Sequence, residues 1–360
     1  MSNVYAVSAA PHIKQKISVS SVMWQVVLAL MPAMLAAIYF FGFRSLMLTL
    51  YSVVAAVSTE AVIQQLRKVP VSVSDGSAVV TGILVAFNIN VASPWWLPVI
   101  GSIFAIAIGK QIFGGLGHNP FNPALLARAF MVASWPTLTT AGWTATKPLF
   151  AITKTIGTSI NGLNPATLPA NIPSVITSAT PLGVAKALRD TAQIGPDLAP
   201  TIMNKLASIE TIQNLFWGNV GGVIGEVSAA ALLLGAAFLA YKHIIEWRIP
   251  ISYIGTVFVL TYVFGGINGL FSASLLLPIF HIFAGGLILG AFFMATDMVT
   301  SPVTKRGRII FGVGCGVLTT TIRLVGGYPE GVSYSILLMN IATPLIDRLT
   351  APKAFGEVKK

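Results

Sequence analysis

Thr177-Ser178-Ala179-Thr180 is a run of small, mostly hydroxyl-bearing residues in the one long polar interval of an otherwise apolar chain. It supplies no base, no acid and no metal ligand, so it is not a catalytic constellation by itself. It would serve as an accessible attachment point for a cofactor that must not diffuse away. Three acids are the other candidates for chemistry. Glu60, Glu226 and Asp297 fall within or beside apolar runs, where a carboxylate is costly to bury and points to an ion or proton path. A buried structural partner is the competing explanation for each, and Asp347 lies nearer an interface. The histidines His12, His118, His243 and His281 have no ligand spacing, and Cys315 is the only cysteine. No internal disulfide, haem pair or metal site is expected, nor an iron–sulfur centre held by this chain alone, since that takes roughly four ligands.

A second stretch carries binding potential. Gly114-Gly115-Leu116-Gly117-His118-Asn119-Pro120-Phe121-Asn122-Pro123 combines glycines, which allow close backbone approach, with a proline suited to a helix's first turn. Asn119 and Asn122 would then stand at a positively polarised helix end, able to bond a polar ring edge. A capped helix start with nothing bound is the alternative. The Lys-Ser/Thr ending of a phosphate loop is missing. Gly312-Val313-Gly314-Cys315-Gly316 lies in an apolar run and is read as a helix-packing surface. Thr296-Asp297-Met298-Val299-Thr300-Ser301-Pro302, followed by Lys305-Arg306-Gly307-Arg308, reads as a membrane boundary with a basic anchor.

The elements that must position these residues are membrane helices. Apolar residues make up 55% and charged residues 9% of 360 positions, and the mean hydropathy is +0.80. Lipid is therefore the solvent for most of the chain. The excess of 22 Lys and Arg over 11 Asp and Glu comes without a basic patch interleaved with aromatics, so nucleic acid is not an expected partner. Apolar segments near 22–41, 45–66, 77–90, 96–115 and 120–135 form a first block. Those near 220–241, 250–267, 275–296, 308–326 and 330–348 form a second. Two of them, 77–90 and 120–135, are short and carry Asn88, Asn90 and Arg128, as tilted, re-entrant or broken spans do. The expected division is an N-terminal segment 1–21, a first membrane half 22–135, a polar interval 136–217, a second half 218–349 and a tail 350–360. The interval is too long for an ordinary connection and should be a small extramembrane element of irregular structure with one helix near 181–190; a disordered linker is the alternative.

Lys14, Lys16, Arg67, Lys68, Lys110, Lys242, Arg248, Lys305, Arg306, Arg308, Arg348, Lys353, Lys359 and Lys360 would all lie on one side of this topology, with only Arg44 and Arg323 in short loops opposite. Under the positive-inside rule both termini are cytoplasmic and the 136–217 interval is external. The N-terminus lacks a cleavable signal pattern, so the first helix is expected to be a retained span. A weak internal repeat pairs Lys68-Val69-Pro70-Val71-Ser72 with Arg248-Ile249-Pro250-Ile251-Ser252, and Leu97-Pro98 with Leu277-Pro278.

Gly114 to Phe130, with its Asn-Pro-Phe-Asn-Pro-Ala-Leu-Leu-Ala-Arg-Ala-Phe, resembles the D-type membrane subunit of the Rnf ion-translocating electron-transport complex. So do Thr296 to Arg308, Arg323 to Val332 and Leu337 through Pro352. The likeness extends to the B-type subunit of the sodium-pumping NADH:quinone oxidoreductase; the short N-terminus favours the Rnf member. The resemblance implies an all-α polytopic membrane protein of about ten transmembrane helices, in two inverted five-helix halves akin to urea and ammonium channels. It further implies an FMN joined by a phosphoester to Thr180, last residue of the motif at Thr177, Ser178, Ala179 and Thr180, installed from FAD by a flavin transferase. The family's acidic residue six places earlier is Ser174 here. A non-covalent riboflavin is implied near Asn119 and Asn122.

The implied role is an electron-carrying subunit, not catalytic alone, of a ferredoxin:NAD oxidoreductase coupled to sodium or proton transport in the bacterial inner membrane. Its partners would include an external-side (periplasmic) FMN subunit and a cytoplasmic NAD-binding subunit. Neither ferredoxin nor NAD has a binding motif in this chain. The alternatives are the B-type subunit of the quinone reductase, and a channel or secondary transporter without redox role. The last has no use for the Thr-Ser-Ala-Thr interval.

Overall fold

Gly42, at φ +79°, ends one long helix and starts the next without a break in the chain. The first, α1 (Val19–Phe41), begins at Ser18, whose side chain accepts from the Ser21 amide; the second is α2 (Phe43–Leu66). In this computed structural model the residues described are 18–140, 180–183, 185–186, 208–218, 220–265, 275–327 and 330–352. Thr177, Ser178 and Ala179 lie outside them, as do Ser174, half of the expected helix 181–190 and the tail beyond Pro352.

Shorter helices follow: α3 (Ser77–Phe87), α4 (Trp96–Ile106, continued by a wider turn through Gln111), α5 (Pro123–Ser134) and α6 (Pro136–Thr140). After the polar interval come α7 (Ile209–Trp217), α8 (Ala229–Tyr241), α9 (Arg248–Phe264), α10 (Leu276–Phe283) and α11 (Leu287–Leu289, continued through Met294). The chain then forms α12 (Lys305–Leu324) and α13 (Val332–Thr350). All these named elements are helical. By length and composition α1, α2 and α12 can each cross a bilayer, and α10 with α11 makes a fourth candidate bent by 66°. α3, α4, α5, α8 and α9 are apolar but shorter.

Each of the ten apolar segments read from the sequence contains a helix, with two differences. The segment near 275–296 is one run in the sequence but breaks at Ala284–Gly286, where Gly285 takes φ +72°. The segment near 220–241 is helical only from Ala229. Ahead of it, Gly221 and Gly222 admit an irregular approach and a tight turn at Ile224–Glu226, and the Ser228 side chain caps the helix by accepting from the Ala231 amide.

Small residues set the helix spacing, as packing in lipid requires. A methyl group on Gly235 of α8 would lie 2.0 Å from the Ala29 carbonyl oxygen of α1, and one on Gly82 of α3 would lie 2.7 Å from Val53 Cα of α2. Gly312 and Gly316 press α12 onto Ser252 and Thr256 of α9, so the glycine-rich run there is a packing surface. Buried hydroxyls add ties. Ser52 bonds Ser102 at 2.7 Å and the Gly82 carbonyl at 2.6 Å, linking α2, α3 and α4. Tyr253, Thr319 and Ser335 form a closed ring of contacts at 2.6, 2.7 and 3.0 Å, linking α9, α12 and α13.

Two connectors occupy comparable places in the chain. Val91-Ala92-Ser93-Pro94 leads from α3 to α4, and Val299-Thr300-Ser301-Pro302 leads from α11 to α12. The other candidate repeat does not mark equivalent structure: Lys68 to Ser72 is the irregular exit from α2, whereas Arg248 to Ser252 begins α9.

Gly235→Val should lower the thermal midpoint in detergent, with a cost of about 1–3 kcal/mol for forcing apart a packed interface. Gly255→Val, where a methyl meets nothing within 4 Å, should leave the midpoint near that of the parent.

Candidate functional site

The break between α10 and α11 leaves backbone carbonyls without helical partners, a costly state in lipid. Arg323, in the last turn of α12 and 5% exposed, supplies the donors. Its Nη1 donates to the His281 carbonyl and its Nη2 to the Ala284 carbonyl at 3.1 Å. The sequence reading put Arg323 in an external loop. The structure instead buries it, because the carbonyls at the end of α10 need a cation.

Three side chains from different parts of the chain converge on Gly285. A methyl group there would meet Leu182 Cδ1 at 2.5 Å, Arg323 Nη2 at 3.0 Å and Glu226 Oε1 at 3.7 Å. Glu226 Oε1 and Arg323 Nε are buried and have no hydrogen-bond partner among the described residues. Beside them Arg128 of α5 donates to Asn88 Oδ1 at 2.6 Å and forms an ion pair with Glu330.

Leu182 brings Thr180 to this break. Pro181 to Gly183 form a helical turn, and Thr180 Oγ1 accepts from the Gly183 amide at 3.2 Å. Lys186 donates to the Gly326 carbonyl at 2.8 Å. Thr180 is 6% exposed, which differs from the accessible site expected of a polar interval. Burying apolar Leu182, itself 3% exposed, draws the threonine in with it. The oxygen's bond to Gly183 leaves its hydroxyl proton uncommitted among the described residues, and an ester made there would keep the oxygen as acceptor. Lys186 reaches Gly326, just beyond Arg323 in the chain, so two cations belong to this part of the fold. The uncommitted hydroxyl of Thr180 is the feature of this segment that suits an esterified phosphate.

A separate cavity lies at the other end of α3 and α11, lined by Thr81, Asn119, Asn122, Thr296 and Asp297 among apolar groups such as Val26, Leu84 and Phe292. Mostly apolar walls with a few polar groups suit a flat, polar-edged ring. Asn122 is already engaged: its Oδ1 accepts from the Ala124 and Leu125 amides at 3.0 and 3.3 Å, capping α5, and its Nδ2 donates to the Met294 carbonyl at 3.3 Å. Asn119 Nδ2 donates to the Phe121 carbonyl at 3.0 Å; its side-chain oxygen is the freer of the two asparagines toward a ligand. Asp297 accepts from the Val299 amide at 3.2 Å and the Thr300 hydroxyl at 3.4 Å. Burial pushes its carboxyl up from the ordinary value, and those two donors pull it back down.

Glu60 belongs to neither place. Lys110 donates to both its oxygens, at 2.7 and 2.9 Å, and to the Ser77 hydroxyl at 2.6 Å. Gln111 and Gln64 also donate to Glu60 Oε1, at 2.9 and 3.3 Å. The wider turn at Ala107–Gln111 aims consecutive Lys110 and Gln111 at the same carboxylate. Glu60 thus has the buried structural partner weighed from the sequence, and Lys110 is an interior charge instead of a flanking one. Sequence reasoning missed Arg323, Leu182 and the Arg128–Glu330 pair. An arginine following Thr319, Thr320 and Thr321 inside an apolar run was the available signal for the first.

The family described as NQR2, RnfD, RnfE matches residues 6–356 of this chain. The D component of the Na+-translocating ferredoxin:NAD+ oxidoreductase complex of Acetobacterium woodii is 46% identical over 355 residues, covering 98% of this chain and 96% of the relative. The D component of the proton-translocating ferredoxin:NAD+ oxidoreductase complex of Clostridium ljungdahlii is 43% identical over 354 residues, with 98% and 97% covered. The D component of the ion-translocating oxidoreductase complex of Aliivibrio salmonicida is 36% identical over 367 residues, with 99% of both covered.

Lys110→Met should destabilise the chain by about 3–5 kcal/mol, because it strands the Glu60 carboxylate in the interior. Adding Glu60→Gln to that variant should recover most of the loss. Detergent unfolding curves of parent, single and double variants check this.

Proposed function

The chain belongs to the NQR2, RnfD, RnfE family, and we propose that it is the RnfD-type membrane component of an ion-translocating ferredoxin:NAD+ oxidoreductase complex. The carrying observation is identity of 46% and 43% with two such components, over 98% of this chain. In this reading the chain passes electrons across the membrane and makes no substrate product alone. A bacterial inner membrane holds it through about ten spans in two five-helix halves, with both termini cytoplasmic and the 136–217 interval periplasmic. The matching connectors at Val91–Pro94 and Val299–Pro302 support two halves of one design. The other subunits of the complex, one bearing FMN on the periplasmic side and one binding NAD in the cytoplasm, are its partners.

Thr180 tethers FMN through its hydroxyl oxygen, and bound flavin supplies one- and two-electron transfer. The chain's own contribution is placement. Leu182 seats the segment against Gly285, and Lys186 pins it to the Gly326 carbonyl. Both contacts hold the tether at the break of the bent helix pair. Because Thr180 is covered, the flavin transferase acts on this segment before it docks. The cavity at Asn119 would hold a second, non-covalent flavin (riboflavin) among mostly apolar walls, with the Asn119 side-chain oxygen able to bond its polar ring edge. Asn122 contributes there by fixing α5 to the Met294 carbonyl.

The test is fluorescence under ultraviolet light of the denatured chain on a gel, after expression with an active flavin transferase. The parent band should fluoresce yellow, and Thr180→Val should be dark while still inserting in the membrane. A fluorescent Thr180→Val band would move the tether to another residue.

A further inference from the structure

Of the three acids singled out by the sequence, one has an oxygen that the described residues leave unmet. Glu60 receives donors from Lys110, Gln111 and Gln64, and Asp297 from Val299 and Thr300. Glu226 Oε1 is buried and without a partner among the described residues. Leaving a buried acceptor unmet costs about 1–3 kcal/mol, more for a charge, so such an atom in a folded protein calls for an explanation. A simple disposal was at hand and is not used. Arg323, buried as well, has an unmet Nε and reaches the same glycine as Glu226 Oε1. Arg323 Nη2, which donates to Ala284, and Glu226 Oε1 lie 3.0 and 3.7 Å from the point a methyl group on Gly285 would occupy. No side chain stands at Gly285 itself to hold them apart.

We propose that Glu226 takes up the translocated monovalent cation, sodium ion or proton, and that Arg323 is its alternate partner across Gly285. This inference rests on the functional reading above, which supplies the translocation. With the cation on Glu226, the carboxylate charge is neutralised and Arg323 is held by the His281 and Ala284 carbonyls, at the negative end of α10. With the cation gone, a side-chain rotation brings the Arg323 guanidinium to the carboxylate, so that neither state strands a bare charge in the interior. In this structure Arg323 is on the His281 and Ala284 carbonyls.

The charged and titratable surroundings fit a one-cation exchange. Arg128 of α5 and Glu330 ahead of α13 are paired with each other and so cancel. From α10, His281 faces the arginine through its carbonyl. Lys186, bonded to the Gly326 carbonyl, stands beyond Arg323, and among the described residues Arg323 and Glu226 are the two charged groups that meet at Gly285. The glycines around the carboxylate serve the same end: Gly222 and Gly286 approach its oxygens so closely that a methyl group would stand 3.3 and 3.1 Å away. Thr320, one turn before Arg323 on α12, is 2% exposed with a hydroxyl that has no partner among the described residues, an oxygen on the guanidinium's face of that helix.

The test uses the complete complex in liposomes, driven by reduced ferredoxin and NAD+. One arm follows sodium uptake at fixed pH with a protonophore present; the other follows proton uptake without sodium. Glu226→Gln should lower cation uptake per electron by about tenfold or more in whichever arm the parent supports. Glu226→Asp, which keeps the charge on a shorter stem, should assemble and raise the half-saturating cation concentration several-fold, a shift that a purely structural carboxylate would not give. Parent-like uptake and half-saturation in both variants would overturn the assignment. Electron transfer by the parent complex with no uptake in either arm would instead remove the functional reading, and this inference with it.

Discussion

The guanidinium of Arg323 closes a gap that lipid cannot. A helix interrupted inside an apolar bundle frees carbonyls that no water satisfies, and the interruption survives only if protein donors take their place. Arg323 gives one donor to His281 and another to Ala284, which lets α10 and α11 meet at 66°. Leu182 seats against Gly285, the glycine of that bend. The position of Thr180 is therefore a consequence of how two stranded carbonyls are satisfied. Asn122 solves a related problem on the other side of the fold, capping α5 while donating to the Met294 carbonyl at the end of α11. Both ends of the α11 segment are held by polar side chains from other helices.

The interior charges divide by how completely they are answered. Lys110 and Glu60, at 2% and 1% exposure, are matched donor for acceptor and act as one neutral unit joining α2, α3 and α4. Such a pair is hard to disturb, since removing either member leaves the other bare. Glu246 is shared by Arg248 and Arg308, which fastens the start of α9 to that of α12 at partly exposed positions where ion pairs contribute little. The group around Gly285 is of a third kind, with an acceptor and a donor close together and not joined. Structure and polarity there favour two arrangements instead of one.

Much of this was legible in the chain itself. Apolar runs located a helix in every one of the ten segments, because lipid leaves the backbone few other options. Pro123 behind Asn122 announced the capped start of α5, and the Gly312–Gly316 run announced close packing. The break at Gly285 was not read from the sequence, because the run was taken as one span although Gly285-Gly286 is a turn signal within it. Arg323 was misplaced because a charge near a helix end satisfies the positive-inside count equally well in a loop or an interior. The burial of Thr180 depended on Leu182 finding Gly285, a contact between residues far apart in sequence. The cap role of Asn122 against Met294 is long-range in the same way, so its residue type could suggest binding but not show that its bonds were already taken.

The Thr180 segment, which we propose bears flavin, rests on an arginine-braced helix break. The most direct measurement is the mass of the peptide containing Thr180, from the chain matured in cells with an active flavin transferase and a second flavinylated protein as internal standard. The account predicts that this peptide is heavier by one FMN less one water, with fragmentation placing the addition on Thr180. An unmodified Thr180 peptide alongside a modified standard would contradict it.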